Sequence, residues 1–171
     1  FQSLNPFFVV FLTPLVMAVF ARQRAAGKEP STPKKIAIGM GIAATGFVIM
    51  AIGSYVSDLP LHKDIIAAGT SPVKVTPLVL IFTYLVLTIA ELYISPLGIS
   101  FVSKVAPPKY QGIMQGGWLG ATALGNQLLF IGAVLYESIP IWMTWTVFVV
   151  ACCISMFTML FMLKWLERVA K

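Results

Sequence analysis

Apolar residues dominate five stretches of this chain, each close to the roughly 20 residues a helix needs to cross about 30 Å of hydrocarbon. They run at about 1–20, 36–55, 77–102, 114–135 and 141–163. None alternates apolar and polar positions over about ten residues as a barrel strand would, so the pattern predicts five membrane-spanning α-helices. The connection "ARQRAAGKEPSTPKK", residues 21–35, has the composition of an exposed loop, with Pro30 and Pro33 stopping either helix from extending into it. Within 56–74, "LHKDIIAA" predicts a short surface helix. "APPKYQG", residues 106–112, is a tight turn that should fold the third and fourth spans into a hairpin. No internal repeat is visible, so any two-fold pseudo-symmetry needs a partner beyond this sequence.

Polar positions inside the spans are more informative than the spans themselves. Tyr84, Thr88, Glu91 and Ser95 are spaced by four, three and four residues and therefore share one face of the third span. Gln115, Trp118, Thr122 and Asn126 repeat the pattern on the fourth, which predicts two facing helices that each present a polar stripe to a cavity. The second span has little polar content beyond Thr45. The fifth scatters Thr144, Thr146, Ser155 and Thr158 around its circumference, and both are expected to be lipid-facing or supporting helices. A lone Ser or Thr in such a helix commonly bonds back to the carbonyl one turn earlier. A stripe holding Glu, Gln, Asn and Tyr must instead face protein or water, because lipid offers those groups no partner. Pro96 withholds an amide hydrogen from the carbonyl of Leu92, and Gly98 follows, so the third span is expected to bend below Glu91. Gly112, Gly116 and Gly120 form two overlapping GxxxG units, a pattern that permits close helix approach.

Glu91 is the one acidic residue deep in a span; Glu29, Asp58, Asp64, Glu137 and Glu167 all fall in connections or at span ends. A carboxylate at that depth is costly unless paired, hydrated or protonated. No Lys, Arg or His lies at its depth in this sequence, which leaves a proton, a cationic ligand or a group on another part of the protein as its partner.

The formal charge of +6 does not imply nucleic acid, since Lys and Arg follow the connections rather than gathering on one soluble face. Ten of the twelve flank the first, third and last connections: Arg22, Arg24, Lys28, Lys34, Lys35, Lys104, Lys109, Lys164, Arg168 and Lys171. Lys63 and Lys74 are the remainder. By the positive-inside rule the amino end is expected outside and the carboxyl end in the cytoplasm, with 21–35 a cytoplasmic loop. An odd number of spans and an opening Phe1 with no signal-peptide pattern are what a piece of a longer protein would present. Cys152 and Cys153 are adjacent in an apolar span and read as packing residues, and His62 as a solvated residue; neither suggests a metal site. A GxSxG elbow, a second carboxylate at membrane depth and a GxxxxGK[ST] phosphate loop are all missing, so the sequence predicts neither an intramembrane enzyme nor an ATP-driven pump.

The run "ELYISPLGISFVSKVAPPKYQGIMQGGWLGATALGNQL", with "QSLNPFFVVFLTPL" near the start, resembles the proton-dependent oligopeptide transporters of the major facilitator superfamily. The resemblance covers essentially the whole chain and aligns it with the eighth to twelfth helices of a twelve-helix core. It implies an all-α integral membrane protein whose five helices make most of the C-terminal six-helix bundle. It also implies uptake of di- and tripeptides coupled to protons, with no other cofactor, by alternating access in a plasma membrane, the inner membrane of a bacterium. The resemblance assigns Glu91 to the central cavity and to proton coupling, and Asn5 with Glu91 to the peptide's amino terminus. It adds Ser95 and Trp118 to the substrate pocket. Tyr84, Thr88, Gln115, Thr122 and Asn126 would line the cavity, and Pro96, Gly98, Gly112, Gly116 and Gly120 would serve a gating hairpin. The partners implied are short peptides, membrane lipid, and the amino-terminal six-helix bundle and seventh helix that this sequence lacks. Gln115 stands where a second methionine is usual in the family, and Gly120 where a larger residue often sits. The other readings of the chain are a non-transporting helical membrane subunit and a major facilitator transporter of a different small solute.

Overall fold

A computed structural model describes residues 3–59, 61–69 and 76–169, without the side chains of His62 and Val169. Phe1, Gln2, Lys74 and Lys171 lie outside the described residues, as does the side chain of His62. Helices follow one another as α1 (Leu4–Ala25), α2 (Thr32–Val56), the short α3 (His62–Ala68) and α4 (Pro77–Val105). A 3₁₀ turn (Pro108–Tyr110) then leads into α5 (Gln111–Ser138), and α6 (Ile141–Val169) ends the chain. All but α3 are long and apolar enough to cross a membrane.

Local chemistry sets the ends. Pro77 opens α4 and Pro33 sits in the first turn of α2, where a helix makes no use of the amide hydrogen that proline lacks. Pro33 therefore starts a helix instead of holding one off, and the α1–α2 connection is shorter than 21–35, because α1 runs on to Ala25. Gly69 closes α3 in the left-handed conformation, φ 68°. Pro96 lies inside a continuous α4.

The packing differs from the expectation that α2 is a peripheral support. α2 packs against α4 along one side and against α6 along another. Gly39, Gly46 and Gly53, seven residues apart and so on one face, let the α4 side chains come close. A Cβ on Gly39 would lie 2.8 Å from Ile94 and Tyr93, one on Gly46 2.9 Å from Leu87, and one on Gly53 3.2 Å from Val79. Toward α6, Phe47 stacks on Trp145 and Phe148 at centroid separations of 6.1 and 5.5 Å, and Gly41 admits Met156. α1 rests on α4, where Phe20 meets Tyr93 edge to face at 4.9 Å. The outward surfaces are apolar, as with Leu124 on α5 and the 91% exposed Phe161 on α6.

Candidate functional site

Asn5 in the first turn of α1 reaches across 86 residues of sequence to the middle of α4. Its Nδ2 donates to Glu91 Oε2 at 3.2 Å. Its Oδ1 accepts from the Thr88 hydroxyl at 2.8 Å. Thr88 is only 1% exposed, so that contact is held in a fixed setting. A threonine has one proton to give, and the Tyr84 carbonyl, 2.7 Å away, competes for it. The amide is thus held from both ends, oxygen toward Thr88 and nitrogen toward Glu91. Thr88 and Glu91 sit three apart on one helical face, which is what brings both within reach of one amide.

Glu91 lines a groove of about 690 Å³ between α1 and α4, and Ser95, Pro96 and Ser100 continue down its α4 wall. Thr13, Val16 and Phe20 face them from α1. Arg24 and Lys35 also line the groove. Their charge is partly met by Glu29, which takes ion pairs from Arg24 Nε at 3.0 Å and from Lys35. The Arg24 and Lys35 hydrogen bonds hold the Glu29 carboxyl at about 2, well below the ordinary range. This junction is therefore fully formed above the ordinary carboxylate range and is lost only as pH falls toward 2. Lys35 is 4% exposed and lies 4.5 Å from the centre of the Phe20 ring. Ser31 donates to Glu167, which ties the same junction to the end of α6.

An apolar-versus-charged reading put Lys35 in a solvated loop and missed this. The available signal was position: Lys35 lies one turn before Gly39, on the glycine face of α2 that packs inward. A groove with a carboxylate along one wall and two cations on one carboxylate at its base suits a ligand carrying separated charges.

The α5 stripe does not face the α4 stripe across a shared cavity. The two helices meet toward the hairpin turn, where Gln111 and Gln115 donate to the Ser103 carbonyl and hydroxyl at 3.0 and 2.8 Å. Trp118 lies so close over Gly98 that a Cβ there would be 2.3 Å from its ring. Trp118 thus lines a separate small space with Ile99 and Gln115, not the groove that holds Glu91. Thr122 bonds back to the Trp118 carbonyl, as Thr45, Thr146 and Thr158 do to theirs. Asn126 is exposed. Gly112, Gly116 and Gly120 meet nothing within 4 Å, so the close approach expected of them is made by the α2 glycines and by Gly98. The hydroxyl of Thr144, a residue 2% exposed, has no hydrogen-bond partner among the described residues. Among those residues no three His, Cys, Asp or Glu side chains gather as a metal site requires.

The sequence profile of the POT family matches residues 1–150. Dipeptide and tripeptide permease B of Xenorhabdus bovienii is 28% identical over the whole of this chain, which spans 35% of that protein. The protein of the same name from Salmonella typhimurium is 33% identical over 69% of this chain, and peptide transporter YePEPT of Yersinia enterocolitica 31% over 74%; the matches span 22% and 23% of those proteins. In three dimensions the chain superposes on a peptide transporter POT in complex with sulfate with a TM-score of 0.81 and 21% identity, over 98% of this chain and 31% of that one. A POT family transporter in complex with 5-aminolevulinic acid gives a TM-score of 0.75 at 20% identity, over 99% of this chain and 31% of that one.

Proposed function

The chain belongs to the POT family and is an integral membrane protein, and from that premise we propose that it is part of a proton-coupled symporter of di- and tripeptides working by alternating access. The observation that carries the proposal is the Asn5 to Glu91 hydrogen bond, 3.2 Å long and lining an open groove at membrane depth. Glu91 takes a proton from the outer side and later yields it for the ammonium of a bound peptide, because a carboxylate in that setting is stable only when protonated or paired with a cation. Asn5 adds its own contact to the same ammonium and keeps the carboxylate aimed. Ser95 continues the site along α4, and Trp118 shapes it from the hairpin once the rest of the protein closes the cavity. In the assembled transporter the α5 stripe turns toward the same cavity, so that Gln115, Thr122 and Asn126 join the Tyr84 and Thr88 face of α4 there, while Pro96, Gly98, Gly112, Gly116 and Gly120 let the α4–α5 hairpin move.

The coupling ion is the proton and no other cofactor takes part. The reading makes the protein a carrier and not an enzyme, with short peptides as its cargo and no nucleic-acid partner. Its structural partners are an amino-terminal six-helix bundle and a seventh helix. It sits in the plasma membrane, the inner membrane of a bacterium, with residue 1 on the outer side and the carboxyl end in the cytoplasm.

The test is Glu91→Gln in the intact transporter, reconstituted with a pH-sensitive dye inside the vesicles. Glutamine keeps the shape and can still hydrogen-bond Asn5, but cannot carry a proton. Accumulation driven by a proton gradient and peptide-dependent acidification should both vanish while peptide exchange persists. Full accumulation by the variant would remove Glu91 from coupling.

A further inference from the structure

Where α2 begins and α6 ends, the two helices meet in a seam whose register is fixed by the hydrogen bond that Ser31 donates to Glu167. Gly41 against Met156 gives the same antiparallel register further along. Lys34 lies one turn on from Ser31, and Lys164 one turn back from Glu167. The two lysines therefore stand opposite each other across the seam. Packed helix axes are about 8–10 Å apart, a gap that two lysine side chains span between them, so both ammonium groups can meet on one ligand.

Both lysines are exposed, as is Arg168 one turn beyond Lys164. None of the three has an acidic partner among the described residues, where both ion pairs use Glu29. Glu167 is the carboxylate at this seam, and it is turned to Ser31. Three cations against one carboxylate leave the patch positive, with two like charges facing each other at one level. Such an arrangement calls for an anion between them.

The surface next to the lysines states what carries that anion. Deeper along the same two helices the side chains are apolar and exposed: Ile38, four residues on from Lys34, and Phe161 and Phe157, three and seven back from Lys164. Trp165, exposed beside Lys164, marks the boundary between hydrocarbon and headgroups. A soluble phosphate would satisfy the lysines and leave this apolar strip uncovered. A phospholipid satisfies both.

We propose that the α2–α6 seam binds an anionic phospholipid. Its phosphate accepts from the Lys34 and Lys164 ammonium groups, and one acyl chain lies along Ile38, Phe161 and Phe157. A zwitterionic headgroup would bring its own cation into a cationic patch, so the seam selects a net-negative lipid such as phosphatidylglycerol. On the orientation proposed above the lipid comes from the cytoplasmic leaflet, and its binding does not depend on what the Glu91 groove carries.

Native mass spectrometry of the full-length transporter, taken from micelles with equal phosphatidylglycerol and phosphatidylcholine, tests it. Phosphatidylglycerol should be retained in preference. Lys34→Gln and Lys164→Gln should each lower that preference about fivefold, the worth of one basic residue near an anionic surface, and the double variant about twenty-fivefold. Lys34→Arg should keep it, and so should Lys63→Gln, which removes a charge from the other side of the membrane. Peptide uptake by each variant reports correct folding. Equal retention of the two lipids by the native protein, or an unchanged preference in the double variant, would overturn the proposal. A loss in Lys63→Gln as large as in Lys34→Gln would also overturn it, by showing that total charge alone is read. Glycerol 3-phosphate, the same phosphate without chains, should not displace the lipid at millimolar concentration; displacement would make the seam a site for soluble phosphate and overturn the lipid assignment.

Discussion

Thr88 shows how much a site can depend on a residue with no chemistry of its own. The position was legible as part of a polar stripe, but its role was not, because its partner Asn5 lies 83 residues away on another helix. Nothing in the spacing of either helix links the two. With the hydroxyl gone, the Asn5 carbonyl loses its donor and the amide is free to turn from Glu91. Thr88→Val is nearly isosteric, so it removes the hydrogen bond without leaving a hole. Apparent affinity for a dipeptide should weaken about three- to tenfold, with proton coupling retained. In an Asn5→Ala background the same change should add nothing, since the two residues act through one contact. Uptake kinetics on the four variants of this cycle check it, and additive losses would mean that Thr88 serves the Tyr84 carbonyl alone.

Helix number and approximate extent were legible, because a run of apolar residues of spanning length needs no knowledge of its neighbours. Which helix sits in the middle was not. The apolar surface of α2 has almost no directional polar content, so hydropathy gave it no orientation and made it look peripheral. Its direction is written in glycine: Gly39, Gly46 and Gly53 face α4 at seven-residue intervals. The GxxxG pattern at Gly112, Gly116 and Gly120 is the more familiar signal, yet within the described residues it packs against nothing. Substitution separates the two patterns. Gly39→Ala would push a methyl to 2.8 Å from Ile94 and Tyr93 and 3.3 Å from the Ala90 carbonyl. Overpacking of that kind costs about 1–3 kcal/mol. Gly116→Ala should be neutral to about 1 kcal/mol stabilising, the helix preference of alanine over glycine. Thermal unfolding of the full-length variants should therefore show a lower midpoint for Gly39→Ala alone. The reverse order would mean that α5, not α2, holds the bundle together.

At the scale of the whole molecule the sequence predicts a direction as well as a fold, through the unequal split of ten basic residues to two among the connections. The structure adds that this charge is not all free. Lys35 is buried and paired with Glu29, and Arg24 shares that carboxylate. Eight basic residues are then left to orient the chain on the Glu29 side, still well above Lys63 and Lys74 on the other. On the proposed coupling, the direction sets which face of the membrane supplies the proton to Glu91. Single cysteines can read it, in a chain where Cys152 and Cys153 are replaced by serine. Lys63→Cys in the exposed α3 should react with an impermeant maleimide in intact cells. Lys28→Cys, exposed in the α1–α2 connection, should react only after the membrane is permeabilised. If Lys28→Cys labels first, the Glu29 junction lies outside. The groove base with Arg24 and Lys35 would then meet the external solution, and inward uptake with Glu91 protonated from the opposite side could not stand.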